Sequence, residues 1–224
     1  MLLRRRTDGV AGFFLTVEGI DGSGKSTQAR TLAERLKKSG YDVELTREPG
    51  GAPGAEEIRN LVLKGEPKRW SPTTEMLLFF AARRDHVERT IQPALDRGAI
   101  VICDRFTDST RAYQAGSRDE AFGGAGGVTR EQIDMLHDQV IGLDPDLTLI
   151  FDMNPGEALA RGLSRGTDEA RFEGMGDEFQ ARMRETFQSI AADAPDRCVI
   201  IDASGDQKDV AERVWSTIQA RLPR

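Results

Sequence analysis

Gly19-Ile20-Asp21-Gly22-Ser23-Gly24-Lys25-Ser26 fills every fixed position of the pattern G-x(4)-G-K-[ST]. Its flanks make the match meaningful. Before it, Phe13 to Val17 reads as a short β-rich run. After it, Ala29, Leu32, Ala33 and Leu36 recur at the spacing of one helical face, and Lys37, Lys38 and Gly40 supply a helix end. A strand turning through glycines into a helix aims successive N–H groups and the positive helix end at one point, where glycine lets a phosphate approach. In such a loop the lysine bridges the phosphates in transfer and the next hydroxyl ligates Mg²⁺. Those roles fall on Lys25 and Ser26, with the rest of Gly19 to Thr27 cradling a nucleoside triphosphate. Asp21 is the unusual member, because a carboxylate beside a triphosphate is repelled unless a metal-bound water, an arginine or a sugar hydroxyl compensates it.

Outward from this loop, β-rich runs recur at Asp42 to Thr46, Ala99 to Cys103, Leu147 to Phe151 and Cys198 to Ile201, each separated by enough chain for a helix. Strands alternating with helices predict an α/β sandwich on a parallel sheet of five strands. Helical patterns fit Ala55 to Lys64, Thr73 to Arg97, Arg130 to Ile141, Gly156 to Leu163, Glu178 to Asp193 and Lys208 to Leu222. No repeat or linker divides the chain, so residues 12–224 are expected to form one domain behind a basic tail, residues 1–11, that contains Arg4, Arg5 and Arg6. Two irregular stretches are expected to be mobile: the glycine-rich Gly116 to Val128, and Arg161 to Gly176, which mixes arginines with glycines as a lid does.

The 224 residues carry 31 Lys+Arg against 37 Asp+Glu, a net charge of -6. That balance argues against a protein whose work is coating nucleic acid or anionic membrane. No run reaches the roughly 18 to 20 apolar residues of a membrane span, and the basic start lacks a small-residue cleavage site. A cytoplasmic location is expected. Cys103 and Cys198 lie far apart in apolar runs and read as core thiols rather than a disulfide or metal pair.

Asp104-Arg105 closes the third strand, at the carboxyl edge where ligands of open α/β sheets collect. An arginine there suits a second phosphate by forked hydrogen bonding, and Asp104 suits a Mg²⁺-bound water. A phosphate loop, a second arginine and an arginine-rich mobile segment together describe a kinase for a small phosphorylated acceptor better than an NTP-driven motor.

These landmarks resemble the thymidylate kinases of the nucleoside monophosphate kinase group. The resemblance runs in order from Phe13 onward through VEGIDGSGKST (Val17 to Thr27), TREPGG (Thr46 to Gly51), EMLLFFAARRDHV (Glu75 to Val87), DRFTDSTRAYQ (Asp104 to Gln114), PDLTLIFD (Pro145 to Asp152) and RGLSRGTDEARFE (Arg161 to Glu173). It implies transfer of the γ-phosphoryl group of Mg-ATP to dTMP, in a homodimer with no nucleic-acid partner. It also implies residue roles. Phe79 resembles the ring that stacks on thymine and Arg83 the donor to its O4 edge; Arg105 resembles the arginine on the acceptor phosphate and Tyr113 the ring beneath the deoxyribose. Ser109, Thr110 and Gln114 stand where contacts to the base edge are expected, Glu48 and Pro49 at the pocket floor, and Asp21 by the 3′-hydroxyl and metal.

Two positions depart from the family pattern. Ala52 stands where threonine usually follows TREPGG, and Gly22 stands where some members carry a catalytic arginine. The resemblance then points to the subgroup in which lid arginines supply that charge, here Arg165 and Arg171. Two other readings remain open on sequence: a kinase for a different small phosphorylated acceptor, and a regulatory P-loop ATPase with no small acceptor.

Overall fold

The computed structural model describes residues 12–65, 69–115, 127–163 and 176–222. The basic tail, the lid arginines Arg165 and Arg171, and all but the end of the Gly116 to Val128 stretch lie outside them. Five strands form one parallel sheet: β1 (Phe13–Gly19), β2 (Val43–Arg47), β3 (Ile100–Asp104), β4 (Leu147–Asp152) and β5 (Cys198–Asp202), in the order β2-β3-β1-β4-β5. Around it run α1 (Lys25–Lys38), α2 (Pro53–Leu63), α3 (Pro72–His86), α4 (Gln92–Asp96), α5 (Thr107–Thr110), α6 (Arg130–Leu136), α7 (Pro155–Leu163), α8 (Gly176–Asp193) and α9 (Gln207–Gln219). The five-stranded parallel sheet flanked by helices is the expected architecture.

Alternation along β1 splits the core in two. Leu15 and Val17 pack with Ile102 and Leu149 under α1, α8 and α9, while Phe14 faces Val101, Cys103, Phe80 and Ile91 on the other side. Both cysteines are free and buried. The second face turns polar towards the carboxyl edge, where Thr16 shares a 2.8 Å hydrogen bond with Thr148 and Glu18 is fully buried. Val17 lies in register with Asp104, so the phosphate loop after β1 and the chain after β3 leave the sheet side by side. That adjacency builds the site.

Four elements differ from the sequence expectation, the first being Arg130 to Ile141, where α6 passes at Leu136 into a π turn, His137–Ile141. The helix expected over Thr73 to Arg97 is broken by a π turn, Val87–Ile91, in which Gln92 N–H reaches back five residues to Val87 O. Pro93 explains it: proline has no N–H to donate and its ring crowds the carbonyl four residues back, and one wide turn absorbs both. Thr107–Thr110 with a further π turn, Arg111–Ala115, is helical although its polar sequence shows no apolar stripe. Arg161 to Leu163 belong to α7 and Gly176 opens α8, so both ends of the stretch 161–176 expected to be irregular are helical. Among the described residues no helix is long and apolar enough to cross a membrane.

Candidate active site

Gly24 caps α1 in the left-handed region, at φ 87°, and accepts from Thr27 N–H and Gln28 N–H. Gly22 is left-handed too, at φ 82°, and a Cβ there would stand 1.9 Å from the carbonyl oxygen of Ala158 on α7. The loop therefore excludes any side chain at 22, which is why the family's alternative arginine has no room here. Lys25 Nζ folds back on Ile20 O (3.4 Å) and Asp21 Oδ1 (3.3 Å). Ile20 keeps its side chain in the core and offers the loop its backbone.

Arg105 is the one residue other than glycine with positive φ among those described, at 71°. A left-handed side-chain-bearing residue costs about 1–2 kcal/mol, and such strain collects at functional sites. Here the surroundings offset it. The Arg105 N–H donates to Val17 O (3.0 Å), Nη1 to Ser109 Oγ (2.9 Å), and Nη2 to both Asp21 Oδ1 and Tyr113 Oη, the latter at 3.0 Å. The Tyr113 hydroxyl donates in turn to Asp21 Oδ2 (3.0 Å). Burial alone would raise the Asp21 pKa, but Arg105, Lys25 and Tyr113 outweigh it and hold the carboxyl well below the usual range. Asp21 is thus an anion clamped by two cations, both of which an incoming phosphate can recruit.

Beside this cluster opens a cleft, and the expected acceptor residues converge on it: Asp21, Glu48, Pro49, Phe79, Arg83, Arg105, Ser109, Thr110, Tyr113 and Gln114 all line it. Arg83, 2% exposed, donates from Nε to Glu48 Oε2 (2.7 Å) and from Nη2 to Thr110 Oγ1 (2.9 Å), while its buried Nη1 has no partner. Gln114 is held by the buried Glu75 (2.9 Å). Ser109 reaches the cleft wall, but its hydroxyl is engaged between Arg105 and Glu18. Arg59 and Leu63 also line the cleft, with Arg59 Nη1 donating to Pro49 O (2.6 Å). The sequence reading passed over Arg59, although it borders the apolar stripe Ala55, Ile58 and Val62 of a helix that starts just past a strand end.

Glu48, His86 and Cys103 bring their ligand atoms within 4.8 Å of one another. They read as a hydrogen-bonded strut rather than a metal centre. His86 Nδ1 meets Glu48 Oε1 (3.0 Å), Nε2 meets Thr46 Oγ1 (2.7 Å), and burial, with Glu48 and Asp104 nearby, pushes the Cys103 thiol far from ionisation.

A second cleft lies on the opposite side of the phosphate loop between Ser23, Gly24, Thr27 and Gln28 and the loop after β5, Ala203 to Gln207, with Arg161 across it. Arg161 bonds Ala203 O (3.5 Å) and Gly205 O (3.4 Å). Asp21 of the phosphate loop lines the first cleft and Ser23 and Gly24 of the same loop line the second, an arrangement suited to transfer of a group between two bound molecules. Asp104 Oδ1 is buried beside the loop without a hydrogen-bond partner. Asp104 Oδ1 and the Ser26 hydroxyl at the start of α1 are hard oxygen donors, the type that Mg²⁺ takes. At Ala52 no side chain caps α2; Glu56 accepts from Gly51 N–H (2.9 Å) and Asp85 from Ala55 N–H (2.9 Å) instead, so a threonine hydroxyl is not needed to satisfy that end.

The family model described as thymidylate kinase matches residues 17–214. A protein of Ruegeria pomeroyi named thymidylate kinase is 56% identical over 95% of this chain and 97% of its own length. One of Caulobacter vibrioides with the same name is 50% identical over 94% and 98%. The crystal structure of thymidylate kinase from Ehrlichia chaffeensis superposes with a TM-score of 0.72 at 37% identity, covering 93% of this chain and 99% of that one. With the phosphate loop, the left-handed arginine and the paired clefts arranged as described, this chain belongs to the thymidylate kinase family.

Proposed function

We propose that the protein transfers the γ-phosphoryl group of ATP to the phosphate of dTMP, giving ADP and dTDP. The observation that carries this reading is the acceptor cleft, where one wall gathers Asp21, Arg105 and Tyr113 for a phosphate and a sugar, and the other presents Phe79 and an unpartnered Arg83 Nη1 for a base. The acceptor phosphate is already ionised, so no strong general base is needed. Catalysis reduces to in-line placement and charge stabilisation. Arg105 orients the acceptor phosphate, and Lys25 moves from Asp21 to the phosphates in flight. Arg165 and Arg171 add charge as the lid closes and excludes water. Mg²⁺, held through Ser26 and Asp104, supplies neutralisation of the phosphate oxygens when bound.

The second cleft takes the donor nucleotide. We also read the protein as a homodimer, because Leu61, Leu77 and Met135 stand exposed on α2, α3 and α6, and α3 packs against α2 and against the turn that follows α6. ADP release coupled to a detector, with ATP and Mg²⁺ and with dTMP present or absent, tests the reaction. Strict dependence on dTMP is the expected outcome. ATP hydrolysis indifferent to dTMP would favour the regulatory ATPase and remove the proposal.

A further inference from the structure

Glu18 has no place in the chemistry described so far, yet it is the last side chain of β1 before the phosphate loop and is 0% exposed. Among the described residues its carboxylate has two hydrogen-bond partners, both beyond β3. Oε1 accepts from Phe106 N–H (2.7 Å) and from Ser109 N–H (3.3 Å), and Oε2 accepts from the Ser109 hydroxyl. The same Ser109 Oγ accepts from Arg105 Nη1. We infer that Glu18 is a positioning residue, tying the strand that ends in the phosphate loop to Ser109 and, through Ser109, fixing the guanidinium of Arg105 against Asp21.

The tie depends on which atom carries the proton. An ionised Glu18 only accepts, which turns the Ser109 O–H towards it and leaves the Ser109 lone pairs to Arg105. A protonated Glu18 donates to Ser109 Oγ, so the two Ser109 lone pairs are shared between it and Arg105 and the Ser109 proton loses the carboxylate that fixed its direction. The groups facing Glu18 put this choice near neutrality. Burial is the largest influence and Asp108 on α5 the next, both against ionisation, with Arg105 and the bonds from Ser109 and Phe106 only partly offsetting them, so the carboxyl is pushed up to about 7. The buried thiols of Cys103 on β3 and Cys198 on β5 face it as well and stay neutral. Asp108 cannot take the proton instead. It sits between Arg197 (2.6 Å) and Arg111 (2.8 Å), which hold it ionised despite its burial.

The sign for stability follows. The folded protein keeps the Glu18 proton up to about pH 7, whereas the unfolded chain releases it near 4.5. The folded state therefore binds more protons between those values, and stability from this group falls as pH rises through them. A glutamine at 18 keeps the shape, accepts from the two N–H groups, and donates to Ser109 as protonated glutamate does. Glu18→Gln is thus a permanent copy of the acid form.

The inference rests on the proposed reaction and predicts a split that a packing role would not give. At pH 8, Glu18→Gln should melt at a higher temperature than the wild type while kcat/KM for dTMP drops about tenfold, a modest part of what misplacing a catalytic group can cost. The wild-type to variant ratio of kcat/KM should shrink towards one near pH 6. The acceptor's own phosphate, with a second pKa of about 6, cancels from that ratio. Ser109→Ala should reproduce the loss, and adding Glu18→Gln to it should cost less than about twofold more, since the link is already cut. A variant that loses melting temperature and activity together at every pH, a ratio that does not change with pH, or fully additive losses would each overturn the inference. A wild type that releases no ADP on dTMP addition would overturn the proposed reaction and this inference with it. That outcome is distinguishable from failure of the inference alone, in which the wild type turns dTMP over normally.

Discussion

Arg83 has three nitrogens and two are already occupied, by Glu48 and Thr110, which leaves Nη1 as a fixed donor in a buried position. Its direction is set by a strut from the next strand, since His86 and Thr46 hold Glu48 from behind. A guanidinium only donates hydrogen bonds. Thymine offers O4 to it, whereas cytosine offers an amino group, so dCMP sets donor against donor in a dry cleft; sites built on such a bond reject the mismatched ligand by on the order of 10⁴-fold. Uracil keeps O4 and lacks the 5-methyl, a loss of roughly 1–3 kcal/mol. Stacking on Phe79 discriminates little between pyrimidines. The expected order of kcat/KM is dTMP, then dUMP, then dCMP. In Arg83→Ala the gap from dTMP to dCMP should narrow far more than the gap from dTMP to dUMP. Equal use of dCMP and dTMP by the wild type would remove both the role of Arg83 and the choice of substrate. The motif residues could be picked out at this scale because their chemistry is local. That Nη1 is the free nitrogen could not, since it depends on Glu48 and Thr110 arriving from two other segments.

Among the elements, the strands and the long helices were readable because apolar periodicity marks any segment that buries one face. α5 with its π turn carries no such mark, yet Thr110, Tyr113 and Gln114 line the cleft from it. Its side chains are spent on polar partners, and a pattern of burial cannot reveal an element held by Glu18, Arg197 and Glu75. The donor cleft escaped for a related reason: Arg161 and the Ala203 to Gln207 loop meet only because β4 and β5 are neighbours. α7 shows how tightly one element presses on another. Its Ala158 carbonyl fills the space that a Cβ at position 22 would need, and Gly22 also holds a left-handed conformation. Gly22→Ala should therefore lower stability by about 1–3 kcal/mol for the overpacking and about 1–2 more for the backbone. Displacing α7 moves Arg161 with it, so KM for ATP should rise more than KM for dTMP. Chemical denaturation and two substrate titrations measure this, and a variant as stable as the wild type would show that the loop and α7 yield freely.

Across the whole molecule, the sheet order puts the phosphate loop between a proposed acceptor half, built on β2, β3, α2, α3 and α5, and a proposed donor half, built on α1, α7 and the loop after β5. The sequence implied the parallel sheet but not this division, because strand order is a property of long-range pairing. The division gives the proposed dimer a specific consequence. Leu77 and Met135, about half exposed at 50% and 52%, lie on α3 and α6, and Leu61 is exposed on α2. Two of those helices carry Arg59, Phe79 and Arg83, which line the proposed acceptor cleft. A stable interface buries roughly 800 Å² per partner around an apolar centre, and a charge placed at that centre must be desolvated without a partner. Leu77→Asp combined with Met135→Asp should then convert a dimer into a monomer in sedimentation at micromolar concentration. The described residues of a single chain form both clefts, and we expect the monomer still to turn over, but with α2 and α3 no longer braced its KM for dTMP should rise several-fold while KM for ATP stays within about twofold. A wild type that sediments as a monomer would remove the dimer. A dimeric double variant would move the interface to another face, and equal changes in both KM values would break the link between the interface and the acceptor half.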